Sequence, residues 1–237
     1  MKEAFQRLRR SALMELVGVA GIPLRRSRPD DPYHAVFNDF VALANAKMEP
    51  IRVLELGARG THVDPRFRNV GEYVGFDIRE GPNVTVAGDA HELSTLVQGP
   101  FDAVYAISTF EHLAMPWKVV LEINAVLAEG GLLCIATHQT WPPHELPWDF
   151  WRYSPAAFQA LLNRHTGYEI LRAELGLPGV VVPMVRGPGM ATMHRSEASL
   201  GTSVVARKVS APRADLRWDL AAADVVESEY PHGRPVT

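Results

Sequence analysis

With 237 residues, 47% hydrophobic side chains and a formal charge of −3, the chain can enclose one core without a staple and carries no electrostatic footprint for nucleic acid. Its single cysteine, Cys134, rules out an internal disulfide and lies in an apolar run that reads as a buried strand, so a cytoplasmic setting is expected. The N-terminal stretch places Lys2, Arg7, Arg9 and Arg10 before an apolar run at 13–22, the layout of a secretory leader, but Glu15 interrupts that run and it is too short to span a bilayer. Residues 1–30 are therefore expected to form an amphipathic helical extension that lies on the domain or on a second subunit, which makes a homodimer the expected assembly.

Asp31 before Pro32 reads as a helix cap followed by the favoured first-turn proline, and Val36, Phe37, Phe40, Val41 and Ala44 recur at helical spacing. Short apolar runs bounded by glycine, proline or acids predict strands at 51–56, 72–77, 84–87, 101–107 and 131–137, as suits a parallel sheet covered on both faces. Between the last two, 116–128 carries Val119, Val120, Ile123, Val126 and Leu127 on one helical face, and Glu129-Gly130-Gly131 supplies the stop. Ser154-Pro155 opens another helix, and strands at 168–175 and 202–209 bring the count to seven. The expected fold is α/β, a Rossmann-like sheet with helices on both faces, in one domain over 1–237. The segment 176–199, rich in Gly, Pro and Met, either folds over a site or hangs at the sheet edge; 215–227 suits a short helix and 228–237 a frayed tail.

The most informative segment is Val53-Leu54-Glu55-Leu56-Gly57-Ala58-Arg59-Gly60-Thr61, answered by Gly75-Phe76-Asp77-Ile78. An apolar strand that ends in an acid, turns through glycine and is answered about twenty residues later by another acid is how α/β folds hold an adenosine-containing cofactor. Arg59 stands where a second glycine would let backbone approach a pyrophosphate, so the dinucleotide fingerprint fails. Asp77 alone would still suit the ribose of a nicotinamide cofactor.

Further motifs decide between these ligands. The segment 53–61, Asp77, Gly88-Asp89-Ala90, Phe101-Asp102, Phe110-Glu111-His112 and Glu129-Gly130-Gly131, in that order over about residues 50–140, resemble the motif set of class I S-adenosylmethionine-dependent methyltransferases. The resemblance implies that Glu55 and Gly57 sit at the methionine end of the cofactor, with Arg59 and Gly60 in the same loop. It implies that Asp77, with Ile78 beside it, takes the ribose hydroxyls, that Asp89 and Ala90 meet the adenine, and that Ser108 lines the methyl-transfer cleft. Arg59 departs from the glycine common in this superfamily, which leaves the shape of that loop open. Glu111 and His112 belong either to the cleft or to the cap of the next segment.

Methyl transfer from a sulfonium is an in-line displacement, so the protein must align the acceptor and, for an alcohol, lower its pKa with a base or a metal. Residues 137–154 hold three of the five tryptophans and two of the nine histidines, a density too high for a mere connection. His144 is the preferred general base and His138 the second; each alternatively bonds backbone within a proline-rich loop. Trp141, Trp148, Asp149, Trp151, Arg152 and Tyr153 are the expected acceptor contacts, on a wall stiffened by Pro142, Pro143 and Pro147. Asp149 or Glu145 could orient the base or bind a divalent ion such as magnesium.

The Trp-Pro-x-His-x-x-Pro-x-Asp-Phe-Trp-Arg-Tyr-Ser run over 141–154 is similar to a branch of methyltransferases found with polysaccharide and glycan biosynthesis, the sugar O-methyltransferases that act on short methylmannosides. This implies a saccharide hydroxyl as acceptor. Two other expectations stand beside it: an O-methyltransferase of a lipid, polyketide or aromatic small molecule, for which the same tryptophans form an apolar pocket, and a cofactor-binding partner protein without catalysis.

Overall fold

A computed structural model describes residues 30–58, 63–181 and 196–216. Helix α1, Pro32–Asn45, starts where the Asp31 carboxylate accepts from the Tyr33 N–H at 3.0 Å, and it buries Val36, Phe37, Phe40, Val41 and Ala44. Strand β1, Ile51–Leu56, is the axis of the sheet. Its residues alternate: Ile51 and Val53 face α1, while Leu54 and Leu56 face the opposite layer.

Strands β2 (Val70–Asp77), β3 (Val86–Ala87), β4 (Phe101–Ile107) and β5 (Leu127–His138) extend this axis in parallel, with helix α2 (Leu93–Leu96) before β4 and α3 (Pro116–Val126) before β5. Helix α4 (Pro155–Leu161) then leads to β6 (Tyr168–Val181) and β7 (Ser196–Lys208), the latter antiparallel to both neighbours. The seven strands lie in the order β3-β2-β1-β4-β5-β7-β6. The order therefore reverses at β1 and β4, and the crevice beyond their carboxyl ends is where open α/β sheets take ligands. Val119, Val120 and Ile123 of α3 and Phe158 of α4 pack on one face, α1 on the other, so both are covered as expected.

Several boundaries differ from the sequence reading. Helix α3 stops at Val126, and β5 begins at Leu127, ahead of the glycines. Its pairing with β4 jumps from Phe101↔Leu127 to Ala103↔Leu132, so residues 128–131 loop out around Gly130 at φ 74°, a conformation glycine adopts without strain. Strands β6 and β7 also run on through much of the Gly/Pro-rich segment, with Val181 still paired to Ser196; this hairpin shortens the expected 176–199 loop. The expected N-terminal extension and the C-terminal helix and tail lie outside the described residues, apart from Asp30 at one edge and Asp215 and Leu216 at the other. Among the described residues no helix is long and apolar enough to cross a membrane.

Candidate active site

The carboxyl ends of β1, β2 and β4 are in register, with Leu56 opposite both Phe76 and Ala106. Beyond β1 the chain turns through Gly57 at φ 81°, and the Gly57 and Ala58 N–H groups donate to the Phe76 carbonyl at 2.8 and 3.1 Å. Asp77 ends β2 with its carboxylate nearly buried, and its Oδ1 accepts from the Arg79 N–H at 3.0 Å. Asp89 caps the 3₁₀ turn Ala90–Glu92, accepting from the His91 N–H at 2.9 Å and lying 2.5 Å from His91 Nδ1. The other ring nitrogen, Nε2, accepts from the Met115 N–H at 3.1 Å. A backbone N–H can only donate, so Nδ1 carries the ring proton and gives it to Asp89. Burial raises the Asp89 carboxyl, but the His91 ring and backbone N–H outweigh it and hold the group below its ordinary range.

Ser108 follows β4 in the left-handed region at φ 50°, pinned by its N–H to the Ala136 carbonyl at 2.8 Å. Strain of this kind is held only where surrounding contacts fix it. Gly57, Asp77, Ile78, Asp89, Ala90, His91, Ser108 and Thr109 line one open cleft, together with His112, Leu113, Glu145 and Trp148. Glycine at one end and a carboxylate at each of two further strand exits fit an adenosyl ligand that carries a ribose diol and an amino-acid tail.

The loop after β5 is sewn to the 3₁₀ turn Phe110–His112. The Glu111 carbonyl accepts from the Phe150 and Trp151 N–H groups at 2.8 and 3.2 Å, and Trp151 Nε1 donates to the Leu113 carbonyl at 2.9 Å. Within the loop, Arg152 forks onto both Asp149 oxygens, Nη1 to Oδ1 at 2.5 Å and Nη2 to Oδ2 at 2.8 Å, and also donates to the Trp141 and Pro142 carbonyls. The Arg152 guanidinium holds the Asp149 carboxyl far below its usual range, and Asp149 Oδ2 in turn accepts from the His144 N–H at 2.8 Å.

This staple gathers the histidines. The His144 ring stands edge-on to His112 and His138, with centroids 4.8 and 5.4 Å away, and His138 stacks on Trp141 at 4.7 Å and 10°. His112 Nδ1 donates to the Trp148 carbonyl at 2.5 Å and His144 Nδ1 to the Pro142 carbonyl at 3.2 Å, so in the neutral rings both Nε2 atoms keep their lone pairs. Glu111 is fully buried beneath them, its Oε2 accepting from Thr137 Oγ1 at 2.6 Å. Burial pushes its carboxyl up, but His138 and Thr137 prevail and keep it below the ordinary value.

Residues 28–174, more than half of the chain, match the family described as a methyltransferase domain. The chain belongs to this methyltransferase family. Its fold is shared with solved structures of low identity: the YcgJ protein of Bacillus subtilis (17% identical, 73% of this chain and 97% of that one, TM-score 0.52) is one. Others are a putative methyltransferase of Bacillus halodurans (18%, 73% and 100%, TM-score 0.53) and an S-adenosylmethionine-dependent methyltransferase of Archaeoglobus fulgidus (16%, 73% and 92%, TM-score 0.53). No protein of curated function matches in sequence. The chain is thus an S-adenosylmethionine-dependent methyltransferase in class, on the seven-stranded sheet of that class.

In this methyltransferase, Gly57, Asp77, Ile78, Asp89, Ala90 and Ser108 come together in the cleft, and Arg59 and Gly60 lie outside the described residues. Glu55 is placed differently from its expected position at the methionine end. It sits on the α1 side of the sheet, 4% exposed, where Oε2 accepts from Tyr73 at 2.5 Å and from Tyr105 at 2.7 Å, and it does not line the cleft. Of the six expected acceptor contacts, Trp141 is exposed beside the histidines and Trp148 is a wall of the cleft itself. Tyr153 is instead a core residue, donating to the Phe110 carbonyl at 3.0 Å and stacked on Phe158, and Asp149 and Arg152 staple the loop. Trp151 is partly exposed, its ring edge against Trp117. His112 resolves toward the cleft and Glu111 beneath it. His91 and Thr109 were not singled out by sequence reasoning, although His91 directly follows Gly88-Asp89-Ala90 and Thr109 directly precedes Phe110-Glu111-His112.

Proposed function

We propose that this methyltransferase acts on a hydroxyl of a saccharide acceptor, with S-adenosylmethionine in the cleft between Gly57, Asp77, Asp89 and Ser108. One observation carries the reading: a histidine cluster and an exposed tryptophan ring, Trp141, are assembled beside that cleft by a loop that Arg152 and Asp149 staple. An amine or carboxylate acceptor attacks without help, whereas an alcohol has to lose its proton, and imidazole nitrogens suit that task near neutral pH. The partly exposed Trp141 offers the flat apolar surface on which a sugar ring rests.

Position in the cleft supports the following roles. Asp77 takes the ribose hydroxyls, Asp89 and the Ala90 backbone meet the adenine, and the glycine turn at 57 leaves room for the methionine tail. When bound, S-adenosylmethionine supplies an electrophilic methyl group. Hydroxyl activation is the work of the histidine cluster, in which His138 ends β5, His144 comes from the loop beyond it and His112 is the one that lines the cleft.

The test is transfer of labelled methyl to a panel of short mannosides, glucosides and non-sugar alcohols. Product on a sugar, lost in His144→Ala while S-adenosylhomocysteine affinity stays within a few-fold, is the expected result. Methylation confined to non-sugar alcohols, or loss of cofactor binding in that variant, would sink it.

A further inference from the structure

Glu111 is fully buried, yet its Oε1 receives no hydrogen bond from any donor among the described residues. His138 Nε2 stands 3.0 Å from that oxygen, near enough to hold the carboxyl down by its charge, without meeting the geometry of a hydrogen bond. A buried carboxylate oxygen left in this state is costly unless something else takes its lone pair. Two ligand atoms that each bind one ion at about 2.1 Å are themselves about 3.0 Å apart in octahedral geometry and about 3.4 Å apart in tetrahedral geometry. His144 completes the set: Glu111, His138 and His144 each bring one ligand atom within 4.8 Å of the others.

We infer that Glu111, His138 and His144 form a divalent transition-metal site beside the methyl-transfer cleft. Two imidazoles and one carboxylate select zinc, manganese, iron or cobalt over magnesium, which prefers an all-oxygen shell. Thr137 Oγ1, bonded to Glu111 Oε2, orients the carboxylate from behind and Trp141 covers the His138 ring, as the surroundings of bound ions commonly do. The three side chains leave further positions on the ion for an acceptor oxygen.

This assignment rests on the saccharide-hydroxyl reading for its purpose, though not for its existence. A bound ion would lower the pKa of a hydroxyl it held, and His112 Nε2, whose lone pair is kept by the Nδ1 bond to Trp148, would be available to take the proton. His144 then contributes by holding the ion.

The experiment titrates zinc into tag-free, chelator-treated protein by calorimetry, and cobalt in parallel by its visible absorption. One ion per chain is expected, weakened at least about tenfold in both Glu111→Gln and His144→Asn, and retained in His112→Ala. His144→Asn, on a partly exposed side chain, carries the test if Glu111→Gln does not fold. Absence of one-site binding, or equal affinity in wild type and the folded variants, overturns the site. Titrating S-adenosylhomocysteine into the same metal-free protein separates the two readings: binding there leaves the methyltransferase cleft intact whatever the metal result.

Discussion

Thr109 Oγ1 occupies the place that a Cβ on Gly57 would need, 2.1 Å from the ideal position. The Thr109 hydroxyl lies 3.1 Å from the carbonyl oxygens of both Leu56 and Ile107, so it ties the exit of β1 to the exit of β4 across the mouth of the cleft. Gly57 is needed twice over, for its φ of 81° and for this approach. Gly57→Ala is expected to cost about 1–2 kcal/mol from the left-handed backbone alone, and more from the displaced threonine. Calorimetry should show S-adenosylhomocysteine affinity down at least tenfold, partly restored when Thr109→Ala is added. Equal affinity in wild type and Gly57→Ala would remove the turn from the cofactor site.

His91 holds the adenine-side acid to the segment that starts α3. His91→Leu removes the donor to Asp89 and leaves the buried Met115 N–H without its acceptor, a loss of about 1–3 kcal/mol that a thermal melt should register. The pH dependence follows in sign. Because the folded-state Asp89 carboxyl is held below its unfolded value, its interactions stabilise the protein above the unfolded pKa and are lost as pH falls through the folded one. Without the ring, burial is opposed less, so the acid limb of cofactor binding should move to higher pH. An acid limb at the same pH in His91→Leu would show that Asp89 does not depend on this contact.

The sheet and the cleft were legible because both are written in local pattern. Apolar runs, strand-end acids and the Gly57 turn each follow from a few adjacent residues, and the register that aligns them is set by the sheet. Glu55 shows what such a pattern leaves out. Adjacent residues on a strand face opposite sides, and the phenols that claim this carboxylate, Tyr73 and Tyr105, come from neighbouring strands, which no local pattern reveals. Tyr153 and Asp149 show the corresponding limit in the loop: richness in aromatic and charged residues marked it as functional but could not separate side chains that face an acceptor from those that hold the loop shut. The histidine cluster draws on the turn after β4, the end of β5 and the loop beyond it, so it exists only once all three have folded.

Arg152 is expected to matter through the loop it staples. Its guanidinium forks onto both oxygens of Asp149 and reaches two carbonyls, a geometry that one ammonium cannot reproduce. Arg152→Lys should therefore raise the acceptor KM and lower kcat, with faster amide exchange over 141–149, while S-adenosylhomocysteine binding changes by less than about threefold. Unchanged exchange in this loop would mean that Asp149 and the backbone hold it without the fork.

Trp141 and Tyr153 separate acceptor recognition from architecture within a single loop. Tyr153→Phe keeps the ring stacked on Phe158 and loses only the donor to the Phe110 carbonyl, so stability should fall by about 1 kcal/mol with acceptor kinetics near wild type. Trp141→Ala does the reverse. Its ring is partly exposed and its main contact is the face of His138, so removing it should leave the melting temperature within a few degrees yet raise the KM of a sugar acceptor about tenfold, the scale of one lost stacking surface. Parallel melts and steady-state kinetics on the two variants decide the matter. If both lose stability and neither changes KM, the exposed ring is part of the loop's packing and the acceptor surface must be sought along the cleft wall at Glu145 and Trp148.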